Sequence, residues 1–97
     1  MRIVYIEKVE DFARKHANAR KSLGAWKAAT LTAEWKTKQQ VLNDFPRAKI
    51  ISADRARFEI AHNIYRLIAR IFYEMQIVEV RFIGTHHEYD RINPKTI

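Results

Sequence analysis

The chain reads as a two-layer α+β protein. Two N-terminal helices lie on one face of a mainly antiparallel sheet, in the order β-α-α-β-β-β with a possible extra short strand. Three observations predict this. The last third, Arg57 to Asp90, alternates apolar and charged residues at period two through three successive runs. Two turns bring those runs into registers that set core against core and charge against opposite charge. Upstream, apolar residues recur at helical spacing in two segments, which supply the cover an apolar sheet face requires.

Met1 to Ile6 is a short β-rich run and reads as a strand. Glu7 to His16 places Val9, Phe12, Ala13 and His16 at i, i+3, i+4, i+7 spacing, an amphipathic helix with acid in its first turn. Asn18 is a candidate cap for a second helix carrying Leu23, Trp26, Thr30 and Ala33 on one stripe. Gly24 weakens that helix by about 1 kcal/mol relative to Ala. Trp26 reads as core, whereas Trp35 suits either the core or a base-stacking platform. Lys36-Thr37-Lys38 closes the helix, Gln39 to Phe45 is a short helix stopped by Pro46, and Ala48 to Ile51 opens a strand into the basic segment Asp54 to Arg57.

The meander follows. A two-residue turn at His62-Asn63 pairs Ile60 with Tyr65, Phe58 with Leu67 and Glu59 with Arg66. A turn at Glu74-Met75 pairs Ile71 with Val78, Ala69 with Val80 and Arg70 with Glu79; continued, it sets Ile68 against Arg81 and Arg66 against Ile83. One face then carries Tyr65, Leu67, Ala69, Ile71, Val78, Val80 and Phe82. The other carries Arg66, Arg70 and Arg81 as near neighbours. The tail Gly84 to Asp90 leaves the sheet beside Arg66, Glu59 and the Asn63 turn, so arginines, an imidazole, a phenol and a carboxylate converge there.

With 97 residues, the chain is predicted to be one domain over 1–97. An apolar content of 47% makes it globular, and no apolar run reaches the roughly 18 residues of a membrane span. The start has no signal-peptide core, and the absence of cysteine removes disulfide and thiolate chemistry; both fit a cytoplasmic protein. Eighteen basic against eleven acidic residues give a net charge of +7, which favours a polyanionic partner, nucleic acid above all.

The residue set narrows the chemistry. His86 and His87 are adjacent rather than at ligand spacing, so the pattern argues against a metal; no cofactor motif, P-loop or nucleophilic Ser elbow is present. What remains suits phosphate chemistry on RNA. Arginines hold a phosphate and stabilise developing charge, while imidazole, phenol or carboxylate groups move the protons of a 2′-hydroxyl attack. Composition alone leaves two readings open, catalysis or simple backbone binding.

The run FEIAHNIYRLIARIFYEMQIVEVRFIGTHHEYDRI resembles the C-terminal half of the HigB-type toxins of bacterial toxin–antitoxin systems, within the RelE-like superfamily. LGAWKAATLTAEWK is similar to that family's second helix, and NDFPRAKII to the segment after it. One departure is visible: the family usually has Gly-Asn at the hairpin where this chain has His62-Asn63. The resemblance implies an RNase-like fold, ribosome-dependent mRNA cleavage through the 2′-oxygen without a metal, and a helix-turn-helix antitoxin of the HigA type. By position, Asn63, Tyr65, Arg66, Arg81, Thr85, His86, Tyr89 and Asp90 match its motifs. His86, Tyr89, Arg66 and Arg81 are the expected catalytic set, with His87 pointing elsewhere. Lys36, Lys38, Arg57, Asn63 and Arg70 are the expected RNA contacts, supported by Glu59, Thr85 and Asp90. The competing expectations are a non-catalytic nucleic-acid-binding domain and a toxin of the same fold aimed at a protein such as gyrase.

Overall fold

Five strands make one sheet in the order β1-β5-β4-β3-β2, in a computed structural model describing residues 1–97. They are β1 (Arg2–Val4), β2 (Lys49–Ser52), β3 (Arg55–Ile60), β4 (Tyr65–Phe72) and β5 (Ile77–Thr85). Only β1 runs parallel to its neighbour, β5; β2 to β5 are antiparallel. The helices are α1 (Ile6–Lys15), α2 (Arg20–Thr32), α3 (Lys38–Asp44) and a single turn, α4 (His86–Tyr89). No helix is long and apolar enough to cross a membrane. The α+β arrangement is the one the periodicities predict.

Helices α1, α2 and α3 cover one sheet face. Val9, Leu23, Trp26, Thr30 and Val41 are buried, and Phe58 of β3 is the hub beneath them. Its ring lies 5.7 Å from Trp26, 5.0 Å from Phe45 and 6.5 Å from Trp35. Trp35 is therefore core, with its indole N–H donating to Asp44 Oδ2 at 2.8 Å. Tyr65 also faces this layer, packed edge-on against Phe12 and His16.

Two helix boundaries differ from the sequence reading. Asn18 does not cap α2: a 3-10 turn over Ala17–Ala19 intervenes, and the Asn18 Oδ1 accepts the buried Tyr65 hydroxyl at 2.7 Å. A buried phenol needs that acceptor more than a solvated helix start does. Nor does Lys36-Thr37-Lys38 close α2, which ends at Thr32. The Thr37 hydroxyl instead caps α3, accepting from the Gln40 N–H at 3.3 Å.

The hairpin register over β3 and β4 is as predicted, with Glu59 opposite Arg66 and Phe58 opposite Leu67. The connection is wider than the expected two-residue turn, and pairing ends at Ile60–Tyr65. Ala61, His62 and Asn63 all take positive φ (53°, 56° and 72°), and the Ala61 N–H donates to Ser22 Oγ at 3.0 Å instead of pairing across the hairpin. Between β4 and β5 the predicted pairs Ile71–Val78, Arg70–Glu79 and Ala69–Val80 hold. Beyond them the register shifts by one. Ile68 faces Phe82, Leu67 faces Ile83 and Arg66 faces Gly84, so the expected Ile68–Arg81 and Arg66–Ile83 pairs are not formed. Arg81 is the extra residue of a β-bulge. The bulge sends Ile83 into the core and turns Phe82 out onto the arginine face, where its ring folds over Gly84. A Cβ on Gly84 would stand 2.7 Å from the Phe82 Cζ, so this close approach requires glycine.

Candidate functional site

The face away from the helices is ordered in three rows across β3, β4 and β5: Arg55–Arg70–Glu79, Arg57–Ile68–Phe82 and Glu59–Arg66–Gly84. Ile68 is wholly buried although it lies outside the helix-covered core, in the row between Arg57 and Phe82. Charge on this face is therefore organised around an apolar floor.

Tyr89 is the centre of the cluster. The turn α4 carries it back over the sheet, and a reciprocal capping box fixes that turn. The Thr85 hydroxyl accepts from Glu88 N–H at 3.2 Å, and the Glu88 carboxylate accepts from Thr85 N–H at 2.8 Å. The Thr85 backbone bond holds the Glu88 carboxyl below its ordinary pKa, against the opposing effect of burial. The Arg66 guanidinium lies 4.7 Å from the Tyr89 ring centroid and that of Arg57 lies 5.6 Å away. Phe82 closes a third side at 6.3 Å, and Arg57 Nη1 approaches the Tyr89 hydroxyl at 3.4 Å. The Nε–H groups of Arg57 and Arg66 are buried and have no acceptor in the protein.

His86 and Tyr89 share the turn. The His86 Nε2 hydrogen-bonds the main-chain carbonyl of Asn63, which ties α4 to the β3–β4 hairpin. A carbonyl only accepts, so Nε2 carries the proton and Nδ1 is the nitrogen left to accept one. The Asn63 side-chain Oδ1 is buried without a partner. His87 and Asp90 are exposed, and Asp90 continues the turn through its backbone N–H to the His86 carbonyl at 2.9 Å.

Other predicted residues lie apart. Arg70 is paired with Asp54 at 2.8 Å, and that hydrogen bond holds the Asp54 carboxyl below its usual range. Arg81, displaced by the bulge, pairs with Glu79 at 3.0 Å and donates Nε–H to the Ile97 main-chain oxygen at 3.0 Å. Arg66, Arg70 and Arg81 do not form one clamp; Arg57 and Arg66 do. Lys36 lines a cavity of about 800 Å³ with Tyr73, Glu74 and Gln76, at the far end of β4 from Asn63, and Lys38 is exposed at the start of α3. Tyr65 stays in the core layer.

Sequence reasoning missed Phe82, which a straight period-two strand sends inward, and the course of residues 93–97, which cross the arginine face to reach Arg55 and Arg81. Gly84, in the run Phe82-Ile83-Gly84, was the available signal for the first. No group of three His, Asp or Glu side chains is gathered where it could hold a metal ion.

A mostly antiparallel five-stranded sheet with helices packed on one face is consistent with the RelE-like fold. The family model HigB_toxin, described as the RelE-like toxic component of a toxin-antitoxin system, matches residues 19–92, and the chain belongs to that family. It is a toxin of a toxin–antitoxin system and has an antitoxin as partner. No curated protein matches the chain. The matched span includes all of the Tyr89 cluster and stops before Asn93.

Proposed function

We propose that the toxin is an mRNA endoribonuclease that acts on the ribosome and cleaves by attack of the 2′-oxygen on the adjacent phosphate, without a metal. The observation that carries this reading is the convergence of the half-buried Arg57 and Arg66 guanidinium groups on the Tyr89 ring, 5.6 and 4.7 Å from its centroid. The terminal N–H groups of two such guanidiniums can hold one phosphate between them. Guanidinium groups there stabilise the charge that grows on the phosphoryl oxygens. His86 Nδ1 is the proposed base for the 2′-hydroxyl, and the Tyr89 hydroxyl the donor to the leaving oxygen. Asn63, Thr85 and Glu59 position these groups, through the hairpin carbonyl, the cap of α4 and the strand pairing with Arg66. Arg81 acts as a further phosphate contact rather than as part of the Tyr89 cluster.

The net charge of +7 supports attraction to RNA. The proposed antitoxin is of the helix-turn-helix HigA type and covers the same face with acidic side chains.

The test is expression of the toxin followed by mapping of mRNA 5′ ends. New ends inside coding regions, lost in Arg66→Ala, are expected. Growth arrest with intact mRNA would overturn the nuclease assignment in favour of a protein target.

A further inference from the structure

Two guanidinium groups outside the Tyr89 cluster converge on one oxygen. Arg55 Nη1 lies 2.6 Å from the Ile97 main-chain oxygen, and Arg81 Nε lies 3.0 Å from the same atom. Arg55 also donates to the Pro94 carbonyl at 3.2 Å. Convergence of two arginines from different strands on a single oxygen is the geometry that recognises a phosphate oxygen. Arg81 also pairs with the Glu79 carboxylate at 3.0 Å. The chain's own backbone thus stands where an anion fits.

The position matters as well. Arg55 precedes Arg57 by two residues on β3, roughly 6.8 Å along the strand. One nucleotide of an extended backbone can span that separation. Phe82 follows Arg81 directly and is also the third wall of the Tyr89 cluster, so a strand leaving Tyr89 over Phe82 meets Arg55 and Arg81 next. Its cover is held to the sheet by those three arginine bonds. Residues 93–97 otherwise bond only among themselves, through Lys95 N–H to Asn93 Oδ1 and the Thr96 and Ile97 N–H groups to the Asn93 carbonyl. Opening the segment therefore breaks only bonds that arginines make and that a phosphate can replace.

We propose that Arg55 and Arg81 form a second phosphate subsite for the RNA backbone, one step from the Tyr89 cluster, and that residues 94–97 cover it until RNA displaces them. This rests on the RNA-cleaving reading above. The tail mimics the ligand: RNA must replace its oxygen with a phosphate oxygen.

The experiment uses the full chain and a short single-stranded RNA made uncleavable by 2′-O-methylation. Nuclear magnetic resonance follows the Thr96 and Ile97 amides, the Arg55 and Arg81 Nε–H signals and the Tyr89 ring. All should shift together on titration. Arg55→Ala should lower the slope of log K against log salt by about 0.7, the value of one single-strand phosphate contact. Tyr89 signals moving to saturation with Ile97 in place would overturn the subsite and leave the RNA reading standing. A moving tail with an unchanged salt slope would also overturn it. If nothing moves the subsite falls, and mRNA cleavage on ribosomes judges the wider reading separately.

Discussion

Arg66 and Tyr89, 23 residues apart in the chain, are held with the guanidinium carbon 4.7 Å from the ring centroid. The contact orients the arginine by the face of the ring and leaves the phenol hydroxyl as a separate chemical handle. Tyr89→Phe and Tyr89→Ala therefore separate the two roles. Tyr89→Phe keeps the ring and should retain RNA affinity while cleavage falls about 10²-fold or more. Tyr89→Ala should lose both. Single-turnover cleavage on programmed ribosomes beside a binding isotherm checks this, and equal cleavage by wild type and Tyr89→Phe would remove the hydroxyl from the mechanism.

The arginines should not be equivalent. Arg66→Ala removes a guanidinium of the Tyr89 cluster and should raise the barrier by about 2.7–4 kcal/mol, the scale for a donor that stabilises transition-state charge. Arg57→Ala should be of similar severity. Arg70 is engaged with Asp54 in a pair 43% and 41% exposed, and such pairs contribute about 0–1 kcal/mol. Arg70→Ala should thus leave toxicity and stability close to wild type. A growth assay ranking Arg70 above Arg66 would contradict the placement of the site.

Gly84→Ala tests the bulge. The added methyl meets Phe82 Cζ at 2.7 Å and Glu88 Oε1 at 2.9 Å, so either the aromatic wall or the cap of α4 must move. A loss of about 1–3 kcal/mol is expected, as for other overpacking changes, and thermal unfolding reads it as a lower Tm. Adding Phe82→Leu should recover part of the loss. An unaltered Tm would mean the Phe82 ring is free to leave.

The same stretch shows what was legible in the residues. Both hairpin registers were, because Glu59–Arg66 and Arg70–Glu79 satisfy charge and core at once. The bulge was not. Period-two reading carries Phe82 inward and Ile83 outward, and both are apolar, so patterning does not oppose the error. The Arg57 and Arg66 pair around Tyr89 depends on that shift and on a helical turn of four residues, too short for periodicity to reveal. The tail over Arg55 and Arg81 carries no pattern either, since backbone oxygens rather than side chains make its contacts.

The cap of α4 predicts a pH effect. The Glu88 carboxyl is held below its ordinary value of 4.5, chiefly by the Thr85 N–H. A depressed carboxyl contributes stability above its unfolded value, and that contribution is lost as pH falls through the lower folded value. Glu88→Gln should therefore be less stable than wild type at pH 7, and the gap should close progressively below pH 4.5. Urea titrations across that range measure it. A gap that widens in acid would show that the capping bond is not what lowers the Glu88 pKa.

His86 poses the sharpest test, because its imidazole has two separable duties. Nε2 ties α4 to the Asn63 carbonyl, and Nδ1 is the nitrogen proposed to take the 2′-hydroxyl proton. His86→Ala removes both and cannot distinguish them. His86→Gln presents an amide N–H₂ that can still donate to a carbonyl but cannot accept a proton near neutral pH. If His86 only anchors the turn, His86→Gln should cleave at close to the wild-type rate. If it transfers the proton, cleavage should fall about 10²–10⁴-fold while α4 stays in place. We expect the second outcome, with RNA binding nearly intact because Arg57 and Arg66 are untouched. Single-turnover rates decide, with the Tyr89 ring signals confirming that the turn has held. His87→Ala is the companion control: its side chain is exposed, and a loss equal to that of His86→Gln would assign the proton to the wrong histidine.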